Sequence, residues 1–123
     1  MPQANEHGVY PYEDAETIII SCLGAYLEIH LLEIENGWIW GMDATYRCGS
    51  YSGFGNPLSV GRAPYHSREE AIGVALQRAI GHFDPDNLTG KPSPVNDSQR
   101  QAAADMVELI EKRIEMDNQQ TLF

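Results

Sequence analysis

Basic residues are scarce in this sequence, which has 8 Lys and Arg against 18 Asp and Glu and a formal net charge of -10. A protein that grips DNA or RNA needs a basic surface to neutralise phosphates, so this balance argues against direct nucleic-acid binding. Most acidic chains carry such charge for solubility. An acidic surface that imitates DNA is the other interpretation.

Closely spaced metal ligands and long apolar runs are also lacking. The two cysteines, Cys22 and Cys48, have no second Cys and no His two to four residues away, so spacing predicts no metal site and no cofactor. No apolar stretch approaches the ~20 residues that cross a bilayer. The start MPQANEHG has no charged segment followed by an apolar one. We therefore expect reduced thiols, no membrane span and a cytoplasmic protein.

Patterns that indicate catalysis are weak. Cys48, His66 and a carboxylate could form a trio, but no local signature surrounds Cys48, and many chains of this composition offer such trios. Glu33 and Glu35 share a strand face beside a turn, which is typical of solvated charges. Without a pair of titrating groups in a plausible site, the sequence indicates a binding protein with no catalytic residues, and not an enzyme.

The residues that are present predict a sheet. Hydrophobic residues make up 42% of the 123 residues, which suits one domain. Residues 1–16 mix Pro, Gly and acids and are expected to form an arm. The β-branched run TIIISCL favours a strand, and Asn36-Gly37 between two apolar segments predicts a hairpin with a tight primed turn. The apolar phase switches at Leu31-Leu32, and a bulge would explain the switch.

Two helices are predicted after the sheet, which is expected within residues 17–61. Ser67 to Glu70 fits a capping box, and apolar residues then recur at helical spacing up to residue 83. Three prolines between residues 84 and 97 predict an exposed connection. A second helix is predicted over 98–117. The expected fold class is α+β, with an antiparallel hairpin or sheet packed by helices at 67–83 and 98–117 in one domain, 17–117.

Aromatic residues offer one candidate surface. Trp38 and Trp40 lie two apart on the returning strand and therefore share a face. Tyr51 and Phe54 lie in a glycine-rich segment, residues 49–61, which is typical of a loop or an irregular strand connection. The two indoles either cover the core or form a platform for a ligand, a partner or a second copy of the chain in a homodimer.

The last residues contain the clearest functional pattern. Gln119, Thr121, Leu122 and Phe123 form Gln-x-x-Leu-Phe after a polar stretch, which begins at residue 116 and is expected to end the helix. This pattern resembles the peptide by which many bacterial replication and repair proteins attach to the DNA sliding clamp. The resemblance implies that Gln119 hydrogen-bonds at the edge of a pocket, while Leu122 and Phe123 enter an apolar groove.

Residues 118–123 are thus expected to be a docking peptide. The function implied is a non-enzymatic adaptor of DNA replication, repair or mobile-element maintenance, with the sliding clamp as its protein partner. Gln120 departs from the family pattern, in which an aliphatic residue is common at that place. In the alternative, Leu122 and Phe123 fill a gap in the protein's own core. The body is only vaguely similar to small plasmid and phage proteins, and an acidic inhibitor of restriction or CRISPR nucleases is the alternative function.

Overall fold

The structure, a computed structural model, describes residues 2–46, 52–58, 64–84 and 97–121, with the backbone alone for residues 46, 52–56 and 119–121. These residues form four strands, β1 (Glu16–Cys22), β2 (Ala25–Ile34), β3 (Gly37–Tyr46) and β4 (Ser52–Asn56), and two α-helices, α1 (Arg68–His82) and α2 (Asp97–Thr121). A short 3-10 helix, Tyr12–Asp14, precedes β1. The strands form one antiparallel sheet in the order β1-β2-β3-β4, which confirms the predicted α+β class.

The hairpin predicted at Asn36-Gly37 is confirmed, with its turn one residue earlier than expected. Ile34 of β2 pairs with Gly37 of β3, so the turn residues are Glu35 and Asn36. No described non-glycine residue has a positive φ, so this is not the primed turn that was predicted. Gly37 itself has a φ of 145°, and a Cβ there would collide with the carbonyl oxygen of Tyr65. Close approach of the chain before α1 therefore requires glycine at this position.

The change of apolar phase in β2 has a different cause from the predicted bulge. The pairing of β2 with β3 is continuous along the whole of β2. Leu27, Ile29 and Leu31 belong to the main core, which lies between the sheet and the helices. Leu32 and Ile34 belong to a second core on the opposite face. The phase changes because each face of β2 is buried at a different part of the strand.

Residues before β1 close this second core. Tyr10 is 9% exposed and packs in a cluster with Leu32, Ile34, Ile39 and Leu58. Its backbone N–H donates to the carbonyl oxygen of Leu58 at 2.8 Å. The prediction of a loosely attached arm is therefore wrong for the part that contains Tyr10 and the 3-10 helix, because a buried aromatic side chain and a long-range hydrogen bond fix this segment to the sheet.

Helix α1 begins at the predicted capping box. The Ser67 Oγ accepts a hydrogen bond from the Glu70 backbone N–H at 3.1 Å, and the Glu70 carboxylate accepts one from the His66 N–H at 3.3 Å. The first contact satisfies a donor that the helix itself leaves unpaired, and the second is made to the residue before the N-cap Ser67 and not to the N-cap itself. The buried face of α1 consists of Ala71, Ile72, Ala75, Leu76 and Ala79.

Helix α2 packs on the main core by one apolar stripe and then continues beyond it. The stripe comprises Ala102, Ala103, Met106 and Ile110. The predicted end near residue 117 is wrong, since the helix continues to Thr121. Arg113 and Asp117 pair one turn apart at 3.1 Å, and the polar residues that follow are tolerated in a helix. The expected boundary between residues 117 and 118 therefore falls inside α2.

An ion pair joins the start of β1 to the start of α1. The Arg68 guanidinium binds both carboxylate oxygens of Glu16, with an Nε to Oε1 distance of 2.7 Å and a second contact from Nη2 to Oε2. This hydrogen-bonded contact, with the charges of Arg68 and Arg113, holds the pKa of Glu16 below its usual value, although burial acts in the opposite direction.

The first prediction concerns the pH dependence of this pair. Because the folded-state pKa of Glu16 is lowered, its stabilisation is complete above the unfolded pKa and is lost as the pH falls through the folded one. Wild type should exceed Glu16→Gln in unfolding free energy at neutral pH by about 1 kcal/mol or less, since the pair is partly exposed. Urea unfolding in acid should show this difference disappearing. Arg68→Ala removes the other half of the pair, so its loss of unfolding free energy should disappear over the same acid range as that of Glu16→Gln. A loss that stays constant with pH in either variant would contradict the ion pair.

The second prediction tests how α2 packs. Met106 is 0% exposed and Met116 is 56% exposed on the same helix, which makes them a matched pair. Met106→Ala should lower the unfolding free energy by about 2–5 kcal/mol, because it leaves a cavity in the core. Met116→Ala should change it by about 0.5 kcal/mol or less. Chemical denaturation measures both values, and similar losses for the two variants would show that the helix is packed in another way.

Candidate functional site

Three side chains that can bind a cation project from the sheet face opposite the helices. Glu28 and His30 lie two apart on β2, and the register pairs Glu28 directly with Asp43 on β3. His30 pairs with Gly41, which adds no side chain to this face. Because alternate residues of a strand share a face, the hairpin itself brings the three groups together. We call Glu28, His30 and Asp43 the polar cluster.

His30 is the buried centre of the polar cluster, with 3% of its surface exposed. Its Nδ1 lies 3.1 Å from Thr17 Oγ1 on β1. Its Nε2 lies 3.6 Å from Glu28 Oε2 and 3.6 Å from Asp43 Oδ2, which is too long for a hydrogen bond to either. The Nε2 atom has no hydrogen-bond partner in the described structure. An unsatisfied buried polar atom costs about 1–3 kcal/mol, so this nitrogen requires an explanation.

Tyr12, from the 3-10 helix, covers the ring of His30. The two rings are stacked with centroids 3.8 Å apart and an interplanar angle of 14°. The Tyr12 hydroxyl donates to Asp43 Oδ2 at 3.1 Å. Burial, together with the charge of Asp43 and this hydrogen bond, raises the pKa of Tyr12 to about 12. The phenol therefore stays protonated and acts as a donor to Asp43 at neutral pH.

The two carboxylates of the polar cluster concentrate negative charge. Tyr26 donates to Glu28 Oε1 at 2.6 Å, and Oε2 is the oxygen that faces His30. Like charges directly opposite one another on neighbouring strands destabilise a sheet. In the described residues, the ion pairs of Arg68, Lys112 and Arg113 are made with carboxylates that do not belong to the polar cluster. The cluster thus combines repelling carboxylates with an imidazole nitrogen that has no partner.

The polar cluster was not predicted, because metal ligands were sought by their spacing along the chain. His30 was counted among four scattered histidines. The available signal was the hairpin register, since counting outward from the turn places Glu28 opposite Asp43. That count needs the turn to be located correctly, and a one-residue error in the turn moves the partner of Glu28.

Of the predicted aromatic surface, the structure describes the side chains of Trp38 and Trp40. Trp40 is 6% exposed and belongs to the main core, and Trp38 is half-buried against the same core. The alternative in which the indoles cover the core is therefore correct for Trp40. Tyr51 lies outside the described residues. The backbone of Phe54 pairs with Ala44 as part of β4, so this stretch of the glycine-rich segment is a regular strand.

The predicted docking peptide is described in part. The backbones of Gln119 and Thr121 belong to the last turn of α2, and Leu122 and Phe123 lie outside the described residues. The possible catalytic trio of Cys48, His66 and a carboxylate also falls partly outside them, since Cys48 is not among the described residues. His66, its other member, is exposed beside the start of α1.

Comparisons with protein-family models, with curated proteins and with solved structures find no match for this chain. In the described ranges, neither helix is long and apolar enough to cross a bilayer. The chemistry of the polar cluster therefore has to be inferred from its own geometry.

The third prediction tests the contact between Tyr12 and Asp43. Tyr12→Phe keeps the stacked ring and removes the hydroxyl, so it should lower the unfolding free energy at neutral pH by about 1 kcal/mol. Because the folded pKa of Tyr12 is raised, its stabilisation is present below the ordinary tyrosine pKa of about 10 and is lost as the pH rises through about 12. The difference between wild type and variant should therefore shrink over that interval.

Ultraviolet titration of phenolate gives a second measurement of the same contact. Subtracting the titration curve of Tyr12→Phe from that of wild type should leave the ionisation of one tyrosine, with a pKa of about 12. Asp43→Asn should bring that ionisation back toward the usual range, because it removes the charge that opposes phenolate formation. Ordinary ionisation of Tyr12 in the folded wild type would contradict the described contact.

Proposed function

We propose that this chain is a non-enzymatic, cytoplasmic adaptor protein that attaches to the DNA sliding clamp. Attachment is through Gln119, Thr121, Leu122 and Phe123, and the adaptor serves DNA replication, repair or mobile-element maintenance. The observation that supports this function is the Gln-x-x-Leu-Phe pattern, which begins in the last turn of α2. The acidic net charge of -10 agrees with recruitment to DNA through a protein partner.

The last turns of α2 lie beyond its fully buried stripe, and there Asp117 and Asn118 line a pocket with Arg68 and Ile72 of α1. Ile110 is 0% exposed and is the last fully buried residue of the apolar stripe, Ile114 is half-buried, and Met116 is 56% exposed. A helix rises about 1.5 Å per residue, so Gln119 begins the motif about 14 Å along the axis beyond Ile110. A partner groove could therefore take the motif while the α2 stripe stays packed on the sheet.

The energy available to the motif suits a modest attachment. Full burial of Leu122 and Phe123 in an apolar groove would contribute about 1.5–3 kcal/mol each, before the cost of ordering the peptide. A micromolar dissociation constant corresponds to about 8 kcal/mol, so backbone and Gln119 contacts would have to supply the remainder. If the groove binds an extended peptide, the last turn of α2 must unwind, and terminal turns open at low cost.

The fourth prediction tests this function by calorimetry with a purified bacterial sliding clamp. The intact chain should bind with micromolar affinity, and the double variant Leu122→Ala/Phe123→Ala should bind at least about tenfold more weakly, since both anchors are removed. Gln120→Ala is the matched control, because it lies in the same segment and is not one of the four proposed contact residues. Its affinity should stay within about threefold of wild type.

Two outcomes would contradict the proposal: no binding by the intact chain, or equal affinity of the intact chain and the double variant. Urea unfolding of the double variant distinguishes clamp binding from the alternative, in which Leu122 and Phe123 pack in the protein's own core. In that case, the unfolding free energy should fall by about 2–5 kcal/mol while clamp binding is absent from both proteins.

A further inference from the structure

We propose that Glu28, His30 and Asp43 bind one divalent transition-metal cation, for which Zn²⁺ is the best match. The ligand atoms would be Glu28 Oε2, His30 Nε2 and Asp43 Oδ2. One ligand atom from each of the three residues lies within 4.8 Å of the others. The site is on the sheet face opposite the helices and is independent of the docking motif.

The position of His30 Nε2 is the first argument for a cation. This atom is buried, has no hydrogen-bond partner, and lies 3.6 Å from an oxygen of each carboxylate. A proton on Nε2 would lie out of hydrogen-bonding range of both oxygens. A tetrahedral zinc ion with ligands at about 2.0–2.1 Å separates its ligand atoms by about 3.3–3.4 Å, so these two distances need to shorten only slightly.

The charge around the cluster is the second argument. The register holds Glu28 and Asp43 directly opposite each other, where two carboxylates repel. The described ion pairs of Lys and Arg are made with other carboxylates and do not neutralise Glu28 or Asp43. A divalent cation between the carboxylates would attract both of them and offset their repulsion. The net charge of -10 favours the approach of a cation.

Supporting hydrogen bonds to each ligand are the third argument. Thr17 Oγ1 lies 3.1 Å from His30 Nδ1, and if it accepts the Nδ1 proton, Nε2 keeps its lone pair for a metal. Tyr26 donates to Glu28 and Tyr12 donates to Asp43. Outer hydrogen bonds of this kind orient the ligands of metal sites and hold them before the ion arrives.

The ligand types select the class of cation. One imidazole nitrogen with two carboxylate oxygens suits zinc and related transition metals, whereas calcium and magnesium prefer ligand sets made only of oxygen. Three protein ligands leave at least one coordination position for water or another ligand. We therefore expect Zn²⁺ to bind more tightly than Mg²⁺ or Ca²⁺.

The fifth prediction uses the full chain after treatment with a chelator, titrated with Zn²⁺ alone in a calorimeter. Wild type should bind one ion per chain, and His30→Gln should lower the affinity at least about tenfold, because it removes the nitrogen ligand. His66→Gln is the matched control, since His66 is exposed beside α1 and outside the cluster. It should bind as wild type does, and so should the Leu122→Ala/Phe123→Ala variant, because the site is independent of the tail.

A second measurement keeps the test valid if His30→Gln does not fold. Zn²⁺ should raise the Tm of wild type and of His66→Gln, since a ligand that binds only the folded state stabilises it. It should leave the Tm of Glu28→Gln/Asp43→Asn unchanged. Zinc affinity or a Tm shift that is the same in wild type and the cluster variants would overturn the proposal. Loss of binding in His66→Gln, or tighter binding of Mg²⁺ or Ca²⁺ than of Zn²⁺, would overturn it too.

Discussion

Continuous pairing of β2 with β3, from Ala25 opposite Tyr46 to Ile34 opposite Gly37, determines the environment of most other elements. Side chains alternate between the faces of a strand, so this register decides which residues meet the helices. A slip of one residue would turn Leu27 and Ile29 out of the main core and turn Glu28 and His30 into it. Because the two faces of β2 are buried against different surroundings, the register of β2 with β3 is strongly specified.

Covering both faces of the sheet takes two different parts of the chain. The helices cover one face with small and aliphatic side chains, in which Ala75 and Ala79 of α1 are fully buried. The segment before β1 covers the other face, where Tyr10 completes an apolar cluster and Tyr12 lies on His30. Apolar and polar side chains are thus adjacent on this second face, and the polar cluster on β2 and β3 is contacted by β1 and the 3-10 helix.

Sequence patterns predicted those elements whose signals are local. The hairpin, the helix start at Ser67 and the two helices were predicted because Asn36-Gly37, Ser67 with Glu70 and helical periodicity each act within a few residues. The attachment of Tyr10 to the sheet and the change of apolar phase in β2 could not be predicted from local pattern. Both depend on contacts with residues distant in sequence, such as Leu58. The extra turn of α2 was not predicted because the polar stretch from residue 116 indicated a helix end, whereas polar residues are tolerated in a helix.

The candidate sites divide in the same way. Gln119 to Phe123 can be recognised from sequence because a docking motif is a short linear pattern. The polar cluster depends on the register of two strands and on burial, which makes one of four histidines chemically different from the others. The role of Trp40 could not be decided from sequence, because an aromatic pair on one strand face is compatible with either a surface or a core. Tertiary packing buries Trp40.

Anomalous diffraction from crystals of the full chain grown with zinc tests most directly whether this register creates a cation site. We expect one strong anomalous peak bonded to Glu28, His30 and Asp43, with Tyr12 still stacked on the imidazole. An imidazole Nε2 hydrogen-bonded to one carboxylate, with the zinc peak absent or located at other residues, would contradict it.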